Sequence, residues 1–260
     1  MANILEIIKP FKFNILNIFM DIFTVLKIFI GGVVLFHASY LDIKKREIEE
    51  WHWIILAIIG FIHAIYLSFT FQSFRPILIT GGVFFLMFGL ALLLFYLGLF
   101  GGGDGKILMG LGALLPSLSG KEYAFGLFPV SVFDNALIIS LFLPIAILAY
   151  NLFRKDSPKE YDSGKFKKIL AMMVGYRLKT DKLSDKFYPL EEFKEGKRTI
   201  RLFIGDLDFD VKKYREDLIE KGIDNLWATP GLPFVVPITF GYFIAVFFGD
   251  VMLRIVMSLI

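Results

Sequence analysis

The sequence predicts an all-α polytopic membrane protein of about six transmembrane helices, with a small cytoplasmic α/β domain inserted before the last helix. Three observations predict it. Apolar residues make up 56% of the 260-residue chain and its mean hydropathy is +0.66, above the roughly 45–50% apolar content of soluble domains. The excess comes in long blocks, and about 20 apolar residues suffice to cross hydrocarbon as a helix. Polar residues gather instead in one long region, Arg154 to Pro230.

Four segments follow in order: 1–20, 21–153, 154–230 and 231–260. Residues 1–20 alternate apolar residues with Asn3, Glu6, Lys9, Lys12, Asn14 and Asn17, interrupted by Pro10, which reads as an interfacial segment. No small-residue cleavage site follows, so the next apolar run is expected to be an anchor and not a removed signal peptide. Residues 21–153 hold a five-helix membrane core. Its spans run from Asp21 to Leu41, from Trp51 to Phe69 behind the interfacial Trp51 and Trp53, and from Ile77 to Leu97. A fourth segment, Ile107 to Leu118, is too short to cross unaided, and a fifth covers Val132 to Phe153. The final span is expected over Phe234 to about Met252, within 231–260.

Residues 154–230 read as a folded domain. Between Lys165 and Leu178, the apolar residues Phe166, Ile169, Leu170, Met173 and Val174 recur at helical spacing. Basic residues on the other face suggest a helix lying on the membrane. Thr199 to Ile204 alternates like a strand, and Val211 to Lys221 reads as a helix capped by Asp210.

Charge sets the orientation. Lys44, Lys45 and Arg46 follow the first span, only Arg75 follows the second, and the region after the fifth is rich in lysine and arginine. If the short fourth segment crosses, all the basic regions fall on the cytoplasmic side and both termini outside. A net charge of +3 leaves no electrostatic footprint for nucleic acid, and the absence of cysteine removes thiol nucleophiles, disulfides and thiolate metal sites.

The stretch that organises the chain is Gly98-Leu99-Phe100-Gly101-Gly102-Gly103-Asp104-Gly105-Lys106. A carboxylate at a membrane edge is expensive and is a functional candidate by default. Gly101, Gly103 and Gly105 allow close approach to it. Asp42, at the end of the first span, falls at the same edge. Two close carboxyl groups share one proton, so one serves as acid while the other serves as base. Helix ends suggest different states for the two. Asp42 lies at a helix C-terminus, which favours the neutral acid, and Asp104 at an N-terminus, which favours the carboxylate.

Gly101-Gly102-Gly103-Asp104 resembles the GxGD motif of the GxGD aspartic proteases, and Asp42 followed by Ile48 resembles the first-aspartate motif of type IV prepilin peptidases. With no cysteine-rich segment, the chain resembles the archaeal branch, the preflagellin (prearchaellin) peptidases. Leu232-Pro233-Phe234-Val235-Val236-Pro237 is similar to a proline-containing motif before the last helix of related proteases. Bacterial members follow the first aspartate with Ile-Pro-Asn, whereas Ile48 here precedes Glu49-Glu50. The resemblance implies a membrane aspartic endopeptidase with Asp42 and Asp104 as its catalytic pair and no metal or other cofactor. Its substrates would be archaellin or pilin-like precursors with a basic leader and a hydrophobic helix, cut at the cytoplasmic face of the bilayer. Glu47, Glu49 and Glu50 would attract the leader, or form an ordinary solvated face. The alternative is a non-catalytic transporter or assembly subunit using the aspartates as a proton or ion relay.

Other motifs carry less. The glycine stretch fails the phosphate-loop pattern at Phe100 and Ile107. Asp206, Asp208 and Asp210 begin like a calcium loop, but Val211 stands where glycine is required. His37, His52 and His63 lack metal-ligand spacing and read as hydrogen-bonded helix residues. Asp250 and Arg254 are expected to pair or to reach the interface.

Overall fold

The computed structural model describes residues 2–97, 101–184, 186–194, 197–202, 210–231 and 233–259, with side chains from Ile22 onward except at 193–194. Gly98 to Phe100, Asp206, Asp208, Leu232 and the end of the strand expected over 199–204 lie outside the described residues, as do the side chains of the interfacial segment. Contacts divide the chain into two compact units, Met1–Ala136 with Phe234–Ile260, and Leu137–Pro233.

The first unit holds α1 (Ala2–Lys45), α2 (Trp51–Phe71), α3 (Arg75–Tyr96), α4 (Gly102–Leu114) and the start of α5 (Phe128–Arg154). After the second unit's α6 (Lys165–Val174) and α7 (Val211–Glu220), the chain returns to it with α8 (Val235–Phe248) and α9 (Val251–Leu259). The backbone of α1 is helical straight through Pro10, so that proline does not interrupt it. Among the described residues, four helices are long and apolar enough to cross a membrane: Ile22–Lys45, Trp51–Phe71, Arg75–Tyr96 and Phe128–Arg154. Counted as one broken span, α8 and α9 make a fifth.

The last span expected from sequence is therefore not one straight rod. It bends by 67° between α8 and α9. Gly249 there takes φ +79, open to glycine at little cost. Buried Asp250 then caps α9, its Oδ1 accepting from the Leu253 N–H at 2.8 Å. That capping bond is the role the structure gives Asp250, in place of the partnership expected with Arg254.

The fourth segment is shifted toward the N-terminus and is no longer than about a dozen residues, as expected. It starts at Gly102 and leaves the helix at Leu115 (φ −137, ψ 75), because Pro116 disfavours the helical region for the residue before it. Its 13 residues span about 20 Å against roughly 30 Å of hydrocarbon. It is buried nearly all round, and from Asp104 to Leu114 only Lys106 is exposed. Such a helix belongs inside a bundle. Glycines let it in. A Cβ on Gly60 of α2 would lie 2.1 Å from the Ala113 carbonyl oxygen, and one on Gly110 would lie 2.9 Å from the Trp53 carbonyl oxygen. Toward α3, a Cβ on Gly105 would meet the Ala91 Cβ at 2.6 Å.

In the second unit, β1 (Tyr176–Lys179), β5 (Asn225–Pro230) and β2 (Phe187–Pro189) form an antiparallel sheet in the order β1-β5-β2. β3 (Glu191–Lys194) pairs with β4 (Lys197–Ile200). Side chains alternate along β5. Leu226 and Ala228 pack with Leu218 of α7, whereas Trp227 packs with Ala171 of α6. The helix expected over Lys165 to Leu178 ends at Val174. Gly175 then passes so close to β5 that a Cβ would lie 2.6 Å from the Ala228 carbonyl oxygen, and Tyr176 starts β1. α7 is capped as expected: Asp210 Oδ1 accepts from the Lys212 and Lys213 N–H groups. Buried Glu191 is held by Arg198 and the Tyr161 hydroxyl. Burial first, and Glu191 second, raise the Tyr161 phenol above its ordinary range, so it stays a donor.

The glycine contacts predict a contrast. Gly60→Ala should destabilise the bundle by about 1–3 kcal/mol or more, because the clash is with backbone. Gly82→Ala, where an added Cβ meets nothing within 4 Å, should be neutral or gain up to ~1 kcal/mol from helix propensity. Thermal unfolding in detergent measures both, and equal melting temperatures would contradict the packing account.

Candidate active site

Asp42 lies in the last turn of α1 and Asp104 is the third residue of α4; both are buried, at 7% and 8% exposure. Local sequence explains how a carboxyl group tolerates each place. Asp104 Oδ2 accepts a hydrogen bond from the Gly101 N–H at 3.0 Å, reaching back over the first turn of its own helix. The helix thus starts ahead of the expected Ile107, at Gly102, and Asp104 serves it from inside the first turn. Asp42 Oδ2 accepts from the Val235 N–H at 3.2 Å. Val235 opens α8, and the first N–H groups of a helix have no partner within it. Pro237, in the same first turn, has no N–H to leave unpaired.

Each aspartate therefore faces a helix N-terminus. Asp42 and Asp104 stand at the helix ends expected from sequence, a C-terminus and an N-terminus, and α8 brings a further N-terminus to Asp42. The two carboxyl groups also lie within electrostatic reach of each other.

Three further residues support the Asp42 side, and sequence reasoning missed them. Ser39 Oγ lies 2.7 Å from Thr239 Oγ1, and Thr239 Oγ1 donates to the Val235 carbonyl at 2.9 Å. This polar clasp fixes the start of α8 against α1. The proline-containing motif before the last helix was its one visible signal. Arg46, read from sequence only as part of a basic loop, follows one turn after Asp42, whose backbone carbonyl accepts the Arg46 N–H at 3.0 Å. Its backbone takes φ 61, and its Nε and Nη1 are buried without a hydrogen-bond partner among the described residues.

The remaining candidates divide. Gly101 and Gly103 flank the turn that Asp104 closes. A Cβ on Gly103 would lie 2.9 Å from Ile48 Cδ1, so the residue beside Asp104 packs on the loop that follows Asp42. Gly105 faces Ala91 on α3 instead. Glu47 is exposed and Glu49 accepts from the Trp51 indole at 2.6 Å. Glu50 is engaged by the Trp53 indole at 2.7 Å and by Lys106, which ties the loop to α4. The Lys106 hydrogen bond, and then that of Trp53, hold Glu50 below its ordinary range. His37 Nδ1 lies 2.8 Å from His52 Nε2, and His52 Nδ1 lies 2.8 Å from the Glu49 carbonyl oxygen, so both are hydrogen-bonded helix histidines. Among the described residues no group of three or more His, Cys, Asp or Glu is placed to hold a metal ion.

Comparison with known proteins gives the class first. Residues 29–152, which carry both aspartates, match the model described as Type IV leader peptidase family, and residues 167–251 match Archaeal Peptidase A24 C-terminus Type II. Both describe peptidases. The chain is 35% identical over 250 residues to the preflagellin peptidase of Methanococcus voltae, covering 88% of this chain and 98% of that protein. It is 32% identical over 239 residues to that of Methanocaldococcus jannaschii, covering 88% and 96%. It is likewise 32% identical over 238 residues to that of Methanococcus maripaludis, covering 85% and 94%. The chain belongs to the preflagellin peptidase family, and it is a membrane peptidase.

The Gly103 contact generates a test. Gly103→Val should reduce peptidase activity at least about tenfold, since a branched side chain must displace Ile48 or the Asp104 turn. Adding Ile48→Ala should recover part of it. Full activity of Gly103→Val alone would contradict the close approach.

Proposed function

We propose that this chain is an aspartic endopeptidase that removes basic leader peptides from preflagellin and pilin-like precursors at the cytoplasmic face of a multi-pass membrane core. The observation that carries the reading is the pair itself. Asp42 and Asp104 come from different helices, are both buried, each accept a backbone N–H, and interact electrostatically. The names of the relatives supply the substrate class. Lys44 and Lys45, next to Asp42, support the cytoplasmic assignment.

The chemistry follows from one proton shared by two carboxyl groups. The carboxylate takes a proton from water as the water oxygen bonds to the scissile carbonyl carbon. The protonated partner donates to the carbonyl oxygen, which carries the developing negative charge. Collapse of the tetrahedral intermediate breaks the C–N bond, and a carboxyl proton passes to the departing amine. The products are a leader with a new carboxylate and a mature chain with a new amine. The pair titrates as a unit.

Asp42→Asn and Asp104→Asn should each lower the cleavage of a leader-bearing precursor by at least about 10²–10⁴-fold, the usual contribution of general acid–base catalysis. Membrane insertion and thermal stability should be retained. Substantial turnover by either purified variant would reject the pair.

Glu47, Glu49 and Glu50 form an acidic rim that attracts the basic leader. With Glu50 already engaged by Lys106, Glu47 and Glu49 carry most of that attraction. Replacing all three with Gln should raise KM at low salt, and the difference from wild type should shrink as salt screens the charges. An unchanged KM at low salt would return these residues to an ordinary solvated face.

A further inference from the structure

The second unit carries an apolar ridge that its own core does not use. α6 turns Ala171 inward, where the Trp227 indole donates to the Ala171 carbonyl at 2.8 Å. On the opposite side Phe166, Ile169 and Val174 are exposed, Phe166 at 73%. Between Arg154 and Pro233 the other large exposed apolar side chain among the described residues is Ile219. The residues fall at i, i+3 and i+8, one stripe of a helix. Lys165 and Lys167 lie exposed on the two flanks of that stripe.

The same unit fastens this helix to the end of α5, a helix long and apolar enough to cross a membrane. Near the end of the spanning helix α5, the Asn151 side-chain amide donates to the Met172 carbonyl at 2.8 Å and to the Gly175 carbonyl at 2.7 Å. Those carbonyls close the C-terminus of α6. Arg154 and Lys155 stand at the end of α5, and Phe153 beside them is 89% exposed. An apolar stripe between lysines, fastened to the end of a helix of membrane-spanning length, matches a lipid interface in hydrophobicity and charge.

We propose that α6 is a membrane-surface helix: Phe166, Ile169 and Val174 enter the headgroup–acyl boundary while Lys165 and Lys167 pair with anionic headgroups. α6 then anchors the second unit to the bilayer independently of the peptide bond chemistry.

The chain lacks cysteine, so single spin labels can be placed at Phe166→Cys, Ile169→Cys and Glu216→Cys in the full-length protein. Glu216 is an exposed residue of α7, which packs on the other face of the sheet from α6. The protein is reconstituted in nanodiscs of phosphatidylcholine with phosphatidylglycerol, and of phosphatidylcholine alone. In the anionic discs, labels at 166 and 169 should relax with lipid-soluble oxygen and be shielded from a water-soluble nickel chelate, with the reverse at 216. Lys165→Gln and Lys167→Gln should each lower the docked-to-undocked ratio roughly fivefold, the equivalent of about 1 kcal/mol per surface lysine. Equal chelate access at 166, 169 and 216 in anionic discs would overturn the proposal. So would dipolar coupling between labels at 166 on two chains, which would mark the ridge as a contact between copies. Peptidase activity is not the readout, so the outcome stands apart from the assignment of the aspartate pair.

Discussion

The architecture of the first unit depends on the burial of one short helix. α4 has too few residues to cross a bilayer, yet it carries Asp104 and is enclosed nearly all round. Its enclosure rests on glycine at the contacts. Gly60 admits the Ala113 backbone, Gly110 admits the Trp53 backbone, and Gly105 admits Ala91. Apolar side chains gain little by leaving lipid for a helix interface, so close backbone packing is the main source of association there. Replacing these glycines with larger residues would push α4 outward and carry Asp104 with it.

A buried carboxyl group must find donors, and the bundle supplies them from helix N-termini. Asp104 uses the N–H just ahead of its own helix, while Asp42 uses the first N–H of α8, far away in sequence. The Ser39–Thr239 clasp holds that distant helix in place. Glu50 and Lys106 bridge the loop after α1 to the start of α4. Both aspartates are thereby fixed by contacts that cross between helices, so the pair depends on the packing of the unit and not on one local motif.

Much of this was legible in the sequence, and what was missed has identifiable causes. Long apolar blocks gave α2, α3 and α5 to within a few residues, and Asp210 gave α7. Asp104 announced itself through its glycines. The bend at Gly249 was hidden because Asp250 is one polar residue in an otherwise continuous apolar run. The early end of α6 was hidden because the apolar spacing continues past Gly175, where β5 presses against the backbone. The contact of Asp42 with Val235 could not be inferred at all, since a backbone donor leaves no side-chain signature. With it, Asp42 meets the N-terminus of α8 as well as the end of its own helix.

The central claim is that Asp42 and Asp104 together stabilise a tetrahedral intermediate formed from water. A leader-peptide analogue with a hydroxyl-bearing isostere in place of the scissile amide mimics that intermediate, and such mimics bind about 10²–10⁸-fold more tightly than substrates. The most direct measurement is its affinity for the wild-type protein and for Asp42→Asn and Asp104→Asn, compared with the affinity of the uncleaved peptide. The account predicts tight binding to wild type that falls to the level of ordinary peptide in either variant. Undiminished tight binding to either variant would contradict it.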